Sequence, residues 1–133
     1  MLEQVQRRAS KLVHSLRSKT YEERCAALGL EKLEKRRIRG DMIQQFKISR
    51  GLDEVNWHCH PATRPAWGPF ARRLQREVVQ NTQRFEFFTN RIVGNWNAIP
   101  SGVKLARTVN QFKNSFDDRM KLSSRHRNTI AYL

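Results

Sequence analysis

Two amphipathic runs that meet at a proline constrain the stretch from Arg84 to Met120, RFEFFTNRIVGNWNAIPSGVKLARTVNQFKNSFDDRM, more tightly than any other part of this sequence. Wound as an α-helix from Arg84 to Asn97, the first run places Phe85, Phe88, Ile92 and Trp96 on one stripe of about a hundred degrees, which is a core face. Pro100 cannot continue the hydrogen-bond ladder and Gly102 tolerates positive φ, so the chain must turn between them. Thr108 followed by Gln111 matches a capping box, and Val109, Phe112, Phe116 and Met120 then recur at helical spacing. A second helix is therefore expected to leave the corner and fold back on the first.

The rest of the chain reads as further helices around one uncertain loop. Residues 2–17 predict a helix with Leu2, Val5, Ala9, Leu12, Val13 and Leu16 on a packing arc and Arg7, Lys11 and His14 roughly opposite. It starts without a capping segment, as a truncated amino terminus would, though a complete small protein could also start there. Thr20 and Glu23 form a capping box opening a short helix that ends at Gly29, with Tyr21, Cys25 and Leu28 as its packing residues. A third helix is expected from Glu31 to Ser49, closed by Gly51. Ile38, Met42 and Phe46 mark one side of it and Leu30, Leu33 and Ile48 the other. Residues 52–83 hold Pro61, Pro65, Pro69 and Gly68, with Trp57 and Trp67 as anchors and an alternating stretch over 74–79 that could form a strand. From Lys121 onward no periodicity remains, and the end is expected to fray. The fold class is thus mainly α: a small bundle of about five helices with a proline-rich central loop and room for one short strand or hairpin. Its organisation is a basic helical segment over 1–51, a loop over 52–83, a helix-turn-helix pair over 84–120 and a basic tail over 121–133.

Charge narrows the partners. The 133 residues carry 26 Lys and Arg against 12 Asp and Glu, a formal net charge of +14. Such a field favours nucleic acid or another polyanion. The excess divides evenly between 1–50 and 51–133, so it is not a basic tail. Cys25 and Cys59 give no disulfide framework, and the chain reads as intracellular, nuclear or cytoplasmic. No run approaches the roughly 20 apolar residues of a membrane span. Neither a membrane partner nor a small-molecule substrate is expected.

Candidate chemistry is sparse. His58, Cys59 and His60 are adjacent potential ligands, but structural zinc sites need ligand pairs two to four residues apart with a second pair elsewhere, so no metal is expected. Asp117 and Asp118 mimic the paired aspartates of a polymerase; their place on an amphipathic helix, with Phe116 facing the core, argues against two-metal chemistry. No nucleophile elbow, phosphate-cradling glycine loop or acid–base pair appears, so neither catalysis nor a cofactor is expected. The basic run KLEKRRIRG divides around its helix and reads either as a solvated face paired to Glu34 and Asp41 or as phosphate contacts. Phe87 lies off the core stripe beside the direction of Arg84 and Arg91, and either stacks on a base or packs on a neighbouring domain.

As a set, LEQVQRRASKLV (2–13), YEERCAALGL (21–30), LEKRRIRGDMIQQFKISRG (33–51), FFTNRIVGNWNAIP (87–100) and TVNQFKNSFD (108–117) resemble the carboxyl-terminal region of reverse transcriptases of non-LTR, LINE-like retrotransposons. The likeness covers most of the chain in order and spacing. It departs over 52–76, where the family often has a basic Thr-Arg-Gly-like stretch and this sequence has Thr63-Arg64-Pro65. In that family the region is the thumb and the linker beyond it, gripping template and primer. The resemblance implies a piece of a polymerase without the palm and its catalytic aspartates, hence no activity of its own. The expected function is RNA or DNA backbone binding through Arg7, Arg8, Lys11, Arg36, Lys47, Arg84 and Arg91. The alternative is an interaction remnant whose apolar faces docked on a reverse transcriptase palm.

Overall fold

The computed structural model describes residues 2–57, 63–64 and 73–130. It is mainly helical. In order the elements are α1 (Leu2–Ser10), a 3₁₀ turn (His14–Leu16), α2 (Tyr21–Leu28), α3 (Leu33–Ser49), β1 (Thr63–Arg64), β2 (Arg73–Leu74), α4 (Thr82–Phe85), α5 (Phe88–Ala98), α6 (Ser101–Lys104) and α7 (Val109–Ile130). The chain forms two compact units, Met1–Gly40 and Asp41–Leu133, divided within α3.

In the first unit the local stop and start signals act as their chemistry dictates. Thr20 accepts from the Glu23 amide while the Glu23 carboxylate accepts from the Thr20 amide, and Gly29 closes α2 in the left-handed region at φ 63°. The first helix, by contrast, is shorter than its sequence pattern. It ends at Ser10, whose hydroxyl donates to the Arg7 carbonyl at 3.0 Å and accepts from Arg24 Nε at 3.0 Å. A serine that bonds back to its own turn competes with the helix ladder, and burial against Arg24 fixes that choice.

The packing face of α1 also differs from the expected apolar arc. Val5, Leu12 and Val13 are 61%, 80% and 37% exposed, and Leu28 of α2 is exposed as well. What meets α2 is a polar seam along the adjoining side, Glu3, Gln6 and Ser10. Tyr21 donates its hydroxyl to Glu3, and Gln6 Nε2 donates to Tyr21 Oη and to the Glu31 carbonyl, both at 3.0 Å. The second oxygen of Glu3 accepts the Leu33 amide at 3.0 Å, which places a carboxylate at the amino end of α3 where the helix dipole favours it. Complementary hydrogen bonds to residues far along the chain outweigh the local apolar stripe.

The Tyr21 hydroxyl, first among the causes, lowers the Glu3 pKa, and the same bond raises that of Tyr21. A depressed carboxylate pKa contributes stability above the unfolded value and loses it as pH falls through the folded one; a raised tyrosine pKa contributes below its unfolded value and loses it as pH rises. The seam is therefore expected to hold from about pH 5 to about pH 9 and to loosen on both sides. The Leu33 amide, followed by NMR during acidification, should change with a midpoint below that of a free glutamate; an unshifted midpoint would contradict the seam.

The second unit is built on an aromatic cluster. Met42, Phe46, Ile92, Trp96, Phe112 and Phe116 are buried. Phe112 is central, stacked on Phe46 with ring centroids 4.4 Å apart and flanked by Phe116 at 6.0 Å and Trp96 at 6.3 Å. This is the pairing of the two runs that the sequence pattern anticipates, with α3 as a third side. Three details differ. The run expected to be one helix from Arg84 breaks into α4 and α5, because Asn90 reaches back to the Arg84 carbonyl at 3.3 Å and Phe87 turns extended (ψ 152°) to start α5. That break takes Phe85 off the core stripe. Gly102 does not take positive φ; it lies within α6, whose start Pro100 caps. Finally, the last helix continues past Met120 to Ile130, a segment with neither proline nor glycine to stop it.

The hairpin is minimal. Thr63 stands opposite Leu74 and Arg64 opposite Arg73 in an antiparallel pair. Leu74 is buried, and its amide and carbonyl are both taken by the Asn97 side chain of α5, at 3.0 and 2.9 Å. Of the alternating stretch expected over 74–79, only Leu74 is strand.

Candidate nucleic-acid interface

The seven basic residues singled out in the sequence fall into two groups. Arg7, Arg8, Lys11 and Arg36 belong to the first unit and are exposed; Arg7 lies near the Glu3 and Glu22 carboxylates, whose pKa values it helps to lower, while the other three have no carboxylate partner among the described residues. Arg7 lies over the Tyr21 ring, 4.7 Å from its centroid. Arg8 and Lys11 stand at the end of α1 and in the turn beyond it, while Arg36 projects from the first half of α3.

Lys47, Arg84 and Arg91 belong to the second unit, and each faces an acid. Arg91 makes a two-pronged pair with Asp41, both contacts 2.8 Å. Asp41 raises the Arg91 pKa, and at this half-buried site the pair ties α5 to α3. Arg84 meets Glu77 at 2.8 Å, and Lys47 meets Asp53 at 3.5 Å. A guanidinium held by a carboxylate at this distance has most of its charge already compensated, which weakens its attraction for a phosphate.

Sequence reasoning missed three cations. Arg73, Arg76 and Lys104 have no carboxylate partner among the described residues. Lys104 is 4% exposed, with Nζ 5.2 Å from the centre of the Trp96 ring. Burial, with Arg73 adding to it, lowers the Lys104 pKa. The Lys104 and Ala106 carbonyls accept from Arg50, at 3.1 and 2.6 Å, which fixes the corner carrying the lysine. Arg76 lies along α5 beside Gly94 and over Phe85, 4.9 Å from the ring centroid. Beside it Arg84 lies over Phe87, 5.2 Å from the centroid. Phe85 and Phe87 are 39% and 49% exposed. The available signal was the interleaving of arginine and phenylalanine over 72–88, partly hidden by the assumption of an uninterrupted helix.

Among the described residues, no group of three His, Cys, Asp or Glu side chains is arranged to hold a metal ion, and no helix is long and apolar enough to cross a membrane. His58, Cys59 and His60 lie outside the described residues. Asp117 and Asp118 sit within α7, and Asp118 pairs with Lys121 at 3.8 Å. Comparison with protein-family models, curated proteins and solved structures finds no match to this chain.

Proposed function

We infer that this chain is a non-catalytic nucleic-acid-binding fragment, similar to the carboxyl-terminal region of a retrotransposon reverse transcriptase, that holds RNA or DNA by its phosphates. The observation that carries this reading is a set of exposed cations with no carboxylate partner among the described residues: Arg8, Lys11 and Arg36 in the first unit, Arg73 and Arg76 in the second. In a protein of net charge +14, such groups gain most from a polyanion, whose counterions are released as each phosphate is neutralised. With about six phosphates engaged, affinity is expected to fall roughly a thousandfold between about 50 and about 200 mM salt. Fluorescence anisotropy of labelled RNA and DNA across that range tests it. Weak binding that ignores salt would sink the reading.

A second reading is favoured by one observation, the exposed apolar side chains Val5, Leu12 and Val13. On this view the chain is an interaction remnant that docks on a polymerase palm. It predicts aggregation, or binding of a hydrophobic dye by the isolated chain, both relieved when the polymerase body is supplied. Primer extension by this chain alone is not expected on either reading.

A further inference from the structure

We propose that the edge of the second unit formed by residues 73–87 binds unpaired nucleotides, with Phe85 and Phe87 stacking on bases while the exposed Arg73 and Arg76 take the adjoining phosphates. This rests on the nucleic-acid reading above and narrows it to single strands at a particular place. Two phenylalanines lie one residue apart at the break between α4 and α5, and both keep a large part of their ring surface in water. Exposed aromatic rings lose free energy to hydration unless something flat covers them, and the face of a base is such a cover.

Each ring already carries a guanidinium over one face, Arg76 on Phe85 and Arg84 on Phe87, so each pair forms a flat platform rather than an isolated ring. The charges around the platforms are unequal. Glu77 neutralises Arg84, so the Phe87 side attracts phosphates less. Arg76 has no acid. Arg73 is next to Leu74, which Asn97 pins to α5. The backbone of a bound strand is thereby directed along β2, with its bases toward the phenylalanines. Paired bases hide their faces within the helix stack, so a duplex could use the cations but not the rings.

The test uses the full chain with fluorescein-labelled oligo(dT) and the matching oligo(dA)·oligo(dT) duplex, compared by anisotropy. Oligo(dT) should bind more tightly than the duplex. Phe87→Ala and Phe85→Ala should each weaken oligo(dT) binding by roughly tenfold, leaving duplex affinity and the salt slope unchanged, whereas Phe87→Trp should retain binding. Arg76→Gln should lower the single-strand salt slope by about 0.7. Both rings are exposed, so circular dichroism melts of the variants should match the parent. If the parent binds with a steep salt dependence but neither alanine variant changes oligo(dT) affinity, the stacking inference falls and the nucleic-acid reading stands. If the parent binds neither probe, both fall.

Discussion

Phe112→Ala is expected to lower the stability of the second unit by about 3–5 kcal/mol, the usual cost of truncating a fully buried phenylalanine. Its ring has no solvent contact and touches the three elements that form the core: α3 through Phe46, α5 through Trp96 and its own helix through Phe116. Removing it opens a cavity whose walls are other rigid rings, which cannot collapse into the space as flexible aliphatic chains would. Small domains are stable by about 5–15 kcal/mol in total, so the variant should melt far earlier or lose its near-ultraviolet dichroism altogether. Urea titration followed by tryptophan fluorescence reports it directly, since Trp96 is in the same cluster. A change below about 1 kcal/mol would mean that the α3, α5 and α7 packing is wrong. Phe87→Ala provides the contrast, because an exposed ring of the same size leaves no cavity.

The parts of this fold that were legible in the sequence are those whose physics is local. A capping box needs only Thr20 and Glu23, a left-handed stop only Gly29 or Gly51, and the Phe112 and Phe116 face only helical periodicity. What could not be read depends on distant partners. The apolar arc of α1 has a clear periodicity, yet its polar side is the one that docks, because Tyr21, Arg24 and Leu33 offer hydrogen bonds to Glu3 and Ser10. The candidate interface shows the same division. A helical wheel can place Arg84 and Arg91 on a surface, but the acids that occupy them are Glu77 and Asp41, the latter 50 residues from Arg91. Lys104 reads as an ordinary lysine at a turn; only the fold lays it across Trp96.

Asn90→Ala should be a damaging polar substitution, costing about 1–3 kcal/mol, since it removes a buried side chain that holds the Glu77 amide and the Arg84 carbonyl. The Asn90 side chain is buried in α5, accepting the Glu77 amide at 2.9 Å and donating to the Arg84 carbonyl at 3.3 Å. It therefore spans two segments that share no ladder with α5, the extended chain after β2 and the end of α4. Alanine removes both bonds; the Arg84 carbonyl still accepts the Phe87 amide at 3.2 Å, whereas the Glu77 amide loses its acceptor. Asn97→Ala should cost a similar amount: Asn97 is half-buried but serves both the amide and the carbonyl of the buried Leu74. Amide exchange separates the two roles. In the Asn90 variant the Glu77 amide should lose its protection while the Leu74 amide keeps it, and in the Asn97 variant the order should reverse. The segment from Glu77 to Arg84 leads directly into Phe85 and Phe87, so a freed Glu77 should also bring a loss of oligo(dT) affinity without any change in the exposed rings themselves. Protection of Glu77 that survives the loss of Asn90 would show that the break between α4 and α5 is held by something else, and that the two phenylalanines are not positioned by this asparagine.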